Sequence, residues 1–276
     1  MTRRGAWPGI YVVSAAALWS TIGVASVLSA NPIMLSLFRS VFASVFSLPI
    51  RRSLSRSSII TGTALGILFA VYPVAAVLAG VGLAAFLLYT APLWTTLISL
   101  ALGEKPSLRG VLGVLLVIVA ISIIGAQTIT GIINFPGLIM GMLSGMSYGF
   151  YIAMARHYAK RGSEIDVSWG ALPYTLIVTI PITLTYSLIM NAWKPIIRPI
   201  LWGLYLGVVA TVIPYRLFAI GVSRIKASTA SVMATLEPVL AALWGYLFFA
   251  QVPTIMTLTS YVLIIIASIL TSSESS

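Results

Sequence analysis

The chain contains no cysteine, which excludes disulfides, thiolate metal sites and cysteine nucleophiles. It has a single histidine, His157, so neither a Ser–His pair nor a histidine metal cluster can be assembled within it. Acids are almost as scarce: five Asp and Glu in 276 residues, against 16 Lys and Arg. Paired membrane carboxylates for Mg²⁺-dependent prenyl or phosphoryl transfer are therefore absent, and so is a P-loop for ATP. Charged residues of both signs make up 8% of the chain, whereas a soluble domain needs about a quarter to cover its surface. Water is thus not the solvent for most of this protein. The net charge of +11 would fit nucleic acid only if the cations were clustered on an exposed domain. No stretch between apolar segments is long enough to form one.

What the chain does have is apolar length, with 59% hydrophobic residues and a mean hydropathy of +1.07. A bilayer core takes about 20 apolar residues per helix. Ten runs qualify, at about 9–29, 32–50, 57–79, 82–102, 107–126, 135–155, 167–190, 200–221, 227–249 and 253–271. The first follows Arg3-Arg4, but it exceeds the roughly 7 to 15 residues of a signal h-region and lacks an A-x-A site, so it is expected to be retained. An all-α, multi-pass integral membrane protein follows. Cationic loop residues concentrate on the cytoplasmic side. With a cytoplasmic N-terminus, that side collects Arg3, Arg4, Arg51, Arg52, Arg56, Lys105, Arg109, Arg156, Lys160, Arg161, Arg224 and Lys226, and the outside only Lys194 and Arg198. Ten helices with both termini in the cytoplasm satisfy the rule; merging one pair of spans would put later cationic loops on the wrong side.

The sequence also repeats itself. Residues 83–107 (LAAFLLYTAPLWTTLISLALGEKPS) and 229–254 (TASVMATLEPVLAALWGYLFFAQVPT) share small residues before a mid-helix proline (Pro92, Pro238), an aromatic half-helix and a polar, proline-containing boundary. Each is followed by one more apolar run, so the expected units are residues 1–130 and 131–276, with five helices each. Homologous halves with an odd helix count insert in opposite senses. Such inverted repeats are typical of secondary transporters, whose site lies at the midplane beside interrupted helices.

These features resemble the drug/metabolite transporter superfamily, specifically its EamA-type ten-helix exporters. The resemblance is carried by Ala-Ala-Leu-Trp-Ser-Thr at 16–21, Phe38-Arg39, Pro92-Leu93 with Gly103-Glu104-Lys105-Pro106, and Glu237-Pro238-Val239. One departure is Ala250-Gln251, where the family usually has Gly-Glu. The resemblance implies a central cavity lined by helices 1–4 and 6–9, with helices 5 and 10 peripheral.

Glu237 is the only acid within a run, and an ionisable group there is a candidate functional site by default. It could bind a substrate ammonium or carry a proton; the plainer reading is a buried ion pair or a packing hydrogen bond. Pro238 removes a helical donor from the carbonyl of Ala234, so the ninth helix can bend there. Helical spacing would put Met233, Leu240 and Trp244 on the face of Glu237. Arg39 suits a carboxylate because of its planar fork, and Arg216, near the inner side, is expected to snorkel. Trp19, Tyr72, Tyr89, Trp94, Tyr148, Tyr151, Tyr215 and Trp244 lie inside runs. Of these, Trp19, Tyr72, Trp94 and Tyr148 are chosen as substrate contacts because they match the family motif, flank a proline or share a polar face with Ser144. Pro92, Pro214 and Pro238 are the expected helix breaks or gates, with Pro73, Pro173 and Pro181 as further bends. Gly137, Gly141, Gly145 and Gly149 form a stripe for close helix packing, or, less favoured, for a homodimer.

Together these readings describe a secondary transporter without cofactor or metal in the plasma membrane. It would move small metabolites, amino acids or similar amphipathic compounds, outward, by alternating access. A channel is less consistent with repeats and broken helices, and a lipid or lipid-precursor flippase is the nearer alternative.

Overall fold

A computed structural model describes residues 7–48, 54–128, 134–191 and 197–272; Arg3, Arg4, Arg51, Arg52 and Lys194 lie outside these. The described residues are helical, with no strand among them. Ten helices follow one another: α1 Gly9–Ser29, α2 Pro32–Ser47, α3 Arg56–Ala79, α4 Val81–Ala101, α5 Leu108–Gln127, α6 Phe135–Ala159, α7 Glu164–Ile189, α8 Ile197–Val222, α9 Ala227–Phe249 and α10 Ile255–Ser272. All but α2 reach 18 residues or more, long and apolar enough to cross a bilayer; α2 is a shorter apolar helix. The ten apolar runs are thus ten helices, with boundaries shifted by a few residues.

The two joints where hydropathy barely falls are made by backbone chemistry. Between α1 and α2, Ala30 takes a left-handed φ of 60°, and the Asn31 side chain accepts from the Met34 N–H at 3.1 Å. Pro32 then opens α2 at a position where no N–H is needed. Between α3 and α4 the chain turns on Gly80 alone, at φ 87°.

Three helices are broken near the middle of their length. In α1 the halves are Gly9–Trp19 and Ile22–Ser29, in α4 Val81–Leu88 and Ala91–Ala101, and in α9 Ala227–Ala234 and Glu237–Phe249. Pro92 and Pro238 each open the second half of α4 and α9, as expected of a residue that cannot donate to the preceding turn. Helix α8 contains a π-helical turn, Val208–Val212, immediately before Pro214. Pro73 and Pro181 are accommodated inside continuous helices, and Pro173 lies in a 3₁₀ turn at Leu172–Thr175 that interrupts α7.

The glycine stripe of α6 is used within the chain. A Cβ on Gly137 would stand 2.7 Å from Ala79, one on Gly141 2.5 Å from Leu87, and one on Gly149 2.8 Å from the Ala91 carbonyl oxygen. Helix α6 therefore lies against α3 and both halves of α4 at near-backbone contact, and the stripe offers no surface for a second copy.

Ten helices return the chain to the side on which α1 begins, so one end of the bundle, the termini end, carries the start of α1 and the end of α10. That end is filled by a continuous apolar core including Val12, Leu65, Tyr151, Ile152, Phe218 and Met233. Among the described cations, Arg56, Lys105, Arg109, Arg156, Lys160, Arg161, Arg224 and Lys226 sit at this end, and Arg198 at the opposite one.

Candidate functional site

At the end opposite the termini the bundle opens into a cavity of about 540 Å³, within the range of about 300–1,000 Å³ of small-molecule sites. Its lip carries Val27, Val77, Val81 and Gln251; deeper positions are Arg39, Phe69, Tyr72, Tyr89 and Glu237; Trp19, Tyr148 and Tyr215 lie furthest in. The cavity is blind. Trp19 packs on Tyr215 at 5.1 Å and on Phe218 at 5.5 Å between ring centroids, and Tyr151 packs beneath Tyr215 at 5.4 Å.

Glu237 is the first residue of the second half of α9. A helix N-terminus favours a negative charge, because its first N–H groups have no partner in the helix. The side chain is half-buried, with the Tyr89 hydroxyl as its hydrogen-bond partner. Tyr89 occupies the corresponding break in α4, so the two interrupted helices meet at this carboxylate.

Arg39 is held differently. Pro214 cannot donate to the carbonyl of Ala210 four residues earlier, and Pro73 cannot donate to that of Phe69. Helix α2 answers both losses from one face, with residues three apart. The Ser36 hydroxyl donates to the Phe69 carbonyl. The Arg39 guanidinium donates to the Ala210 carbonyl at 3.3 Å and to the Thr211 hydroxyl at 2.7 Å, and it lies 4.0 Å over the Phe69 ring. Arg39 and Glu237 share the cavity within electrostatic reach but form no direct ion pair.

Of the residues expected from sequence to contact substrate, Trp19, Arg39, Tyr72, Tyr148 and Glu237 line this cavity, as does Pro238. Trp94 does not. Its side chain sits on the Gly149 position of α6, and its indole N–H donates to the Thr90 hydroxyl at 3.2 Å. The expected face of Met233, Leu240 and Trp244 is also corrected. The break at Thr235–Leu236 rotates the second half of α9, so the cavity receives Glu237, Pro238, Ala241 and Ala242. Met233 goes to the core, and Trp244 donates to the Ser20 hydroxyl at 2.9 Å. Arg216 is outside, 5.3 Å from the Trp169 ring. The implied lining set changes in two helices: α7 contributes nothing, and α10 contributes Tyr261. Among residues not chosen from sequence, Tyr89 and Tyr215 matter most. The signal for both was present, since Tyr89 precedes Pro92 and Tyr215 follows Pro214.

Among the described residues no cluster of metal-ligating side chains occurs. Fold and cavity define a multi-pass helical membrane protein with a blind, ligand-sized site where the broken helices meet.

Residues 135–273 match the EamA-like transporter family, and the chain belongs to it. That family consists of transporters rather than enzymes. The chain is similar to an uncharacterized transporter of Archaeoglobus fulgidus, 29% identical over 64% of this chain and 62% of that one. It is also similar to the uncharacterized transporter YdfC of Bacillus subtilis, 27% identical over 64% of this chain and 58% of that one. The matches thus span about three fifths of the length of these relatives. A solved crystal structure of a protein shares the fold with a TM-score of 0.75 at 20% identity, covering 96% of each chain.

Proposed function

We propose that this protein carries small amphipathic organic molecules with a positively charged nitrogen, amino acids among them, outward across the plasma membrane by alternating access. The observation that carries this reading is the placement of Glu237, the acid at the break of α9, in a blind aromatic cavity it shares with Arg39. The carboxylate takes the ammonium or a proton, tyrosine and tryptophan faces take the apolar body and add cation–π attraction, and Arg39 offers its remaining donors to a carboxylate. Residues 1–130 and 131–276 act as inverted five-helix repeats around this site, with the cation-rich termini end in the cytoplasm. One chain lines the whole cavity, so the cycle needs no second copy.

The test is flux of a radiolabelled amino-acid and amine panel in proteoliposomes at two pH values, for wild type and Glu237→Gln. Saturable flux that the variant loses, together with its pH response, supports the reading. Unchanged flux and pH response in Glu237→Gln overturns the role of the carboxylate. Scrambling of fluorescent phospholipid without flux of any panel compound replaces metabolite transport with lipid flipping.

A further inference from the structure

The end of the bundle opposite the cavity mouth is closed by a charged clamp. Glu104 follows Gly103, which ends α4 at φ 83°, and its carboxylate reaches three partners. One oxygen accepts from the backbone N–H of Ala227, the first residue of α9, at 2.8 Å. The other accepts from Arg156 at 3.0 Å and Lys160 at 3.4 Å, at the end of α6. Arg156 also donates to the carbonyls of Val222 and Ser223, at 3.2 and 2.6 Å, where α8 ends. Four helices are thus tied through one carboxylate, and its side chain is only 13% exposed.

The second repeat contains the same device without its charge. Ala250 ends α9 in the left-handed conformation, at φ 51°, as Gly103 ends α4. Gln251 then occupies the place of Glu104, and both backbone N–H groups turn back onto the preceding helix, Glu104 to Ser99 and Gln251 to Gly245. The counterpart of Ala227 is Val81, the first residue of α4. Gln251 and Val81 both stand on the open lip of the cavity. The outer half of α1 brings no charged side chain to match Arg156. Packing follows the same asymmetry. The second half of α4 lies broadly on α6, whereas the second half of α9 buries no residue and touches α1 only narrowly. A Cβ on Gly149 would collide with α4, while one on Gly23 of α1 would meet nothing within 4 Å.

We infer that Glu104 and Arg156 are the gating pair of the translocation cycle, closing the termini end against a neutral outer gate built from Gln251 and the start of α4. This inference rests on the carrier reading. In the alternate state the clamp opens, the second half of α4 leaves α6, and the Gln251 carboxamide takes the Val81 N–H as Glu104 now takes that of Ala227. Because one gate is ionic and the other is not, the resting protein favours the state closed at the termini end.

The absence of cysteine makes the test direct. Ser26→Cys reports on the cavity and Ser99→Cys on the seam between α4 and α6; each is labelled with a membrane-impermeant thiol reagent from either face of oriented vesicles. With the clamp intact, Ser26→Cys reacts from the mouth side and Ser99→Cys is protected. Adding Glu104→Ala or Arg156→Gln exposes Ser99→Cys from the termini side by about tenfold or more, and labelling of Ser26→Cys falls, since a partly buried pair has been broken. Glu104→Gln, which keeps the acceptor for Ala227, shifts both less and provides a variant that folds if the alanine does not. Folded variants with unchanged accessibility at both positions overturn the gate. If labelling shifts while wild type moves no compound of the panel, the gate stands and the substrate reading fails. If transport proceeds and labelling does not shift, the gate alone fails.

Discussion

Arg39→Met should loosen the join between α2 and α8 by an amount that can be worked out in advance. The substitution removes the donor to the Thr211 hydroxyl at 2.7 Å, the donor to the Ala210 carbonyl at 3.3 Å, and a guanidinium 4.0 Å above Phe69. Interhelical polar contacts in a bilayer contribute about 0.6 kcal/mol on average and up to about 1.7. A buried cation–π contact adds roughly 0.5–2 kcal/mol. The two hydrogen bonds and the ring contact together come to about 2–5 kcal/mol. Pro214 cannot replace the lost donor to Ala210. Thermal unfolding in detergent reads this as a fall in Tm, at about 2–4 °C per kcal/mol for a chain of this size class, hence about 4–20 °C. Arg39→Lys keeps the charge but not the fork and falls between. A double-mutant cycle with Thr211→Val isolates the shared bond, with an expected coupling of about 0.6–1.7 kcal/mol. A Tm within a degree of wild type, or zero coupling, would refute the assignment of Arg39 to the α8 π turn.

Gly145→Val should destabilise by about 1–3 kcal/mol through overpacking, since its Cβ alone would lie 2.6 Å from the Thr90 hydroxyl, whereas Gly23→Ala, in open space, should leave the melting temperature unchanged. If the proposed carboxylate–ammonium contact is made, Tyr89→Phe, which removes the hydroxyl beside Glu237, should raise the KM for amines about 2–12-fold, the worth of one hydrogen bond of about 0.5–1.5 kcal/mol, without changing folding. For Glu104, burial raises the carboxyl pKa, but the Ala227 N–H, Arg156 and Lys160 outweigh it and hold the group below its ordinary range. The clamp's stabilisation is therefore fully present above about pH 4.3 and is lost only as pH falls through the lowered value, so Ser99→Cys should stay protected at pH 5 and become exposed in stronger acid.

The helix count, the two prolines that break α4 and α9, and the isolation of Glu237 were all legible in the sequence, because each depends on composition or on a residue that cannot do what its neighbours do. Trp94 was misplaced because proximity to a proline says nothing about which side of a helix faces the cavity. The α6 glycine stripe draws that side of α4 onto itself. The face of α9 was misjudged for a related reason: helical spacing holds only while the helix continues, and Thr235–Leu236 interrupts it two residues before the acid. Tyr89 could have been found by asking what stands at the break of α4 where Glu237 stands at the break of α9. The Glu104 clamp is held by α6, α8 and α9, which no local pattern brings together.

The prolines have a second effect that ties the site to the fold. A proline inside a membrane helix leaves a carbonyl without a donor, and hydrocarbon cannot supply one. Pro73 and Pro214 create two such carbonyls on helices that flank α2, and Ser36 and Arg39 satisfy them from one turn of α2. The charge that faces Glu237 is therefore fixed by the same contacts that make two bent helices tolerable in lipid. Replacing Arg39 by an apolar residue would take a donor from the Ala210 carbonyl as well as a cation from the cavity. This coupling explains how an acid costing about 2.5–3.5 kcal/mol at the membrane centre on insertion scales can be kept there. Its compensation comes from a helix N-terminus, a tyrosine at the opposing break and an arginine already held by the proline-bent α8.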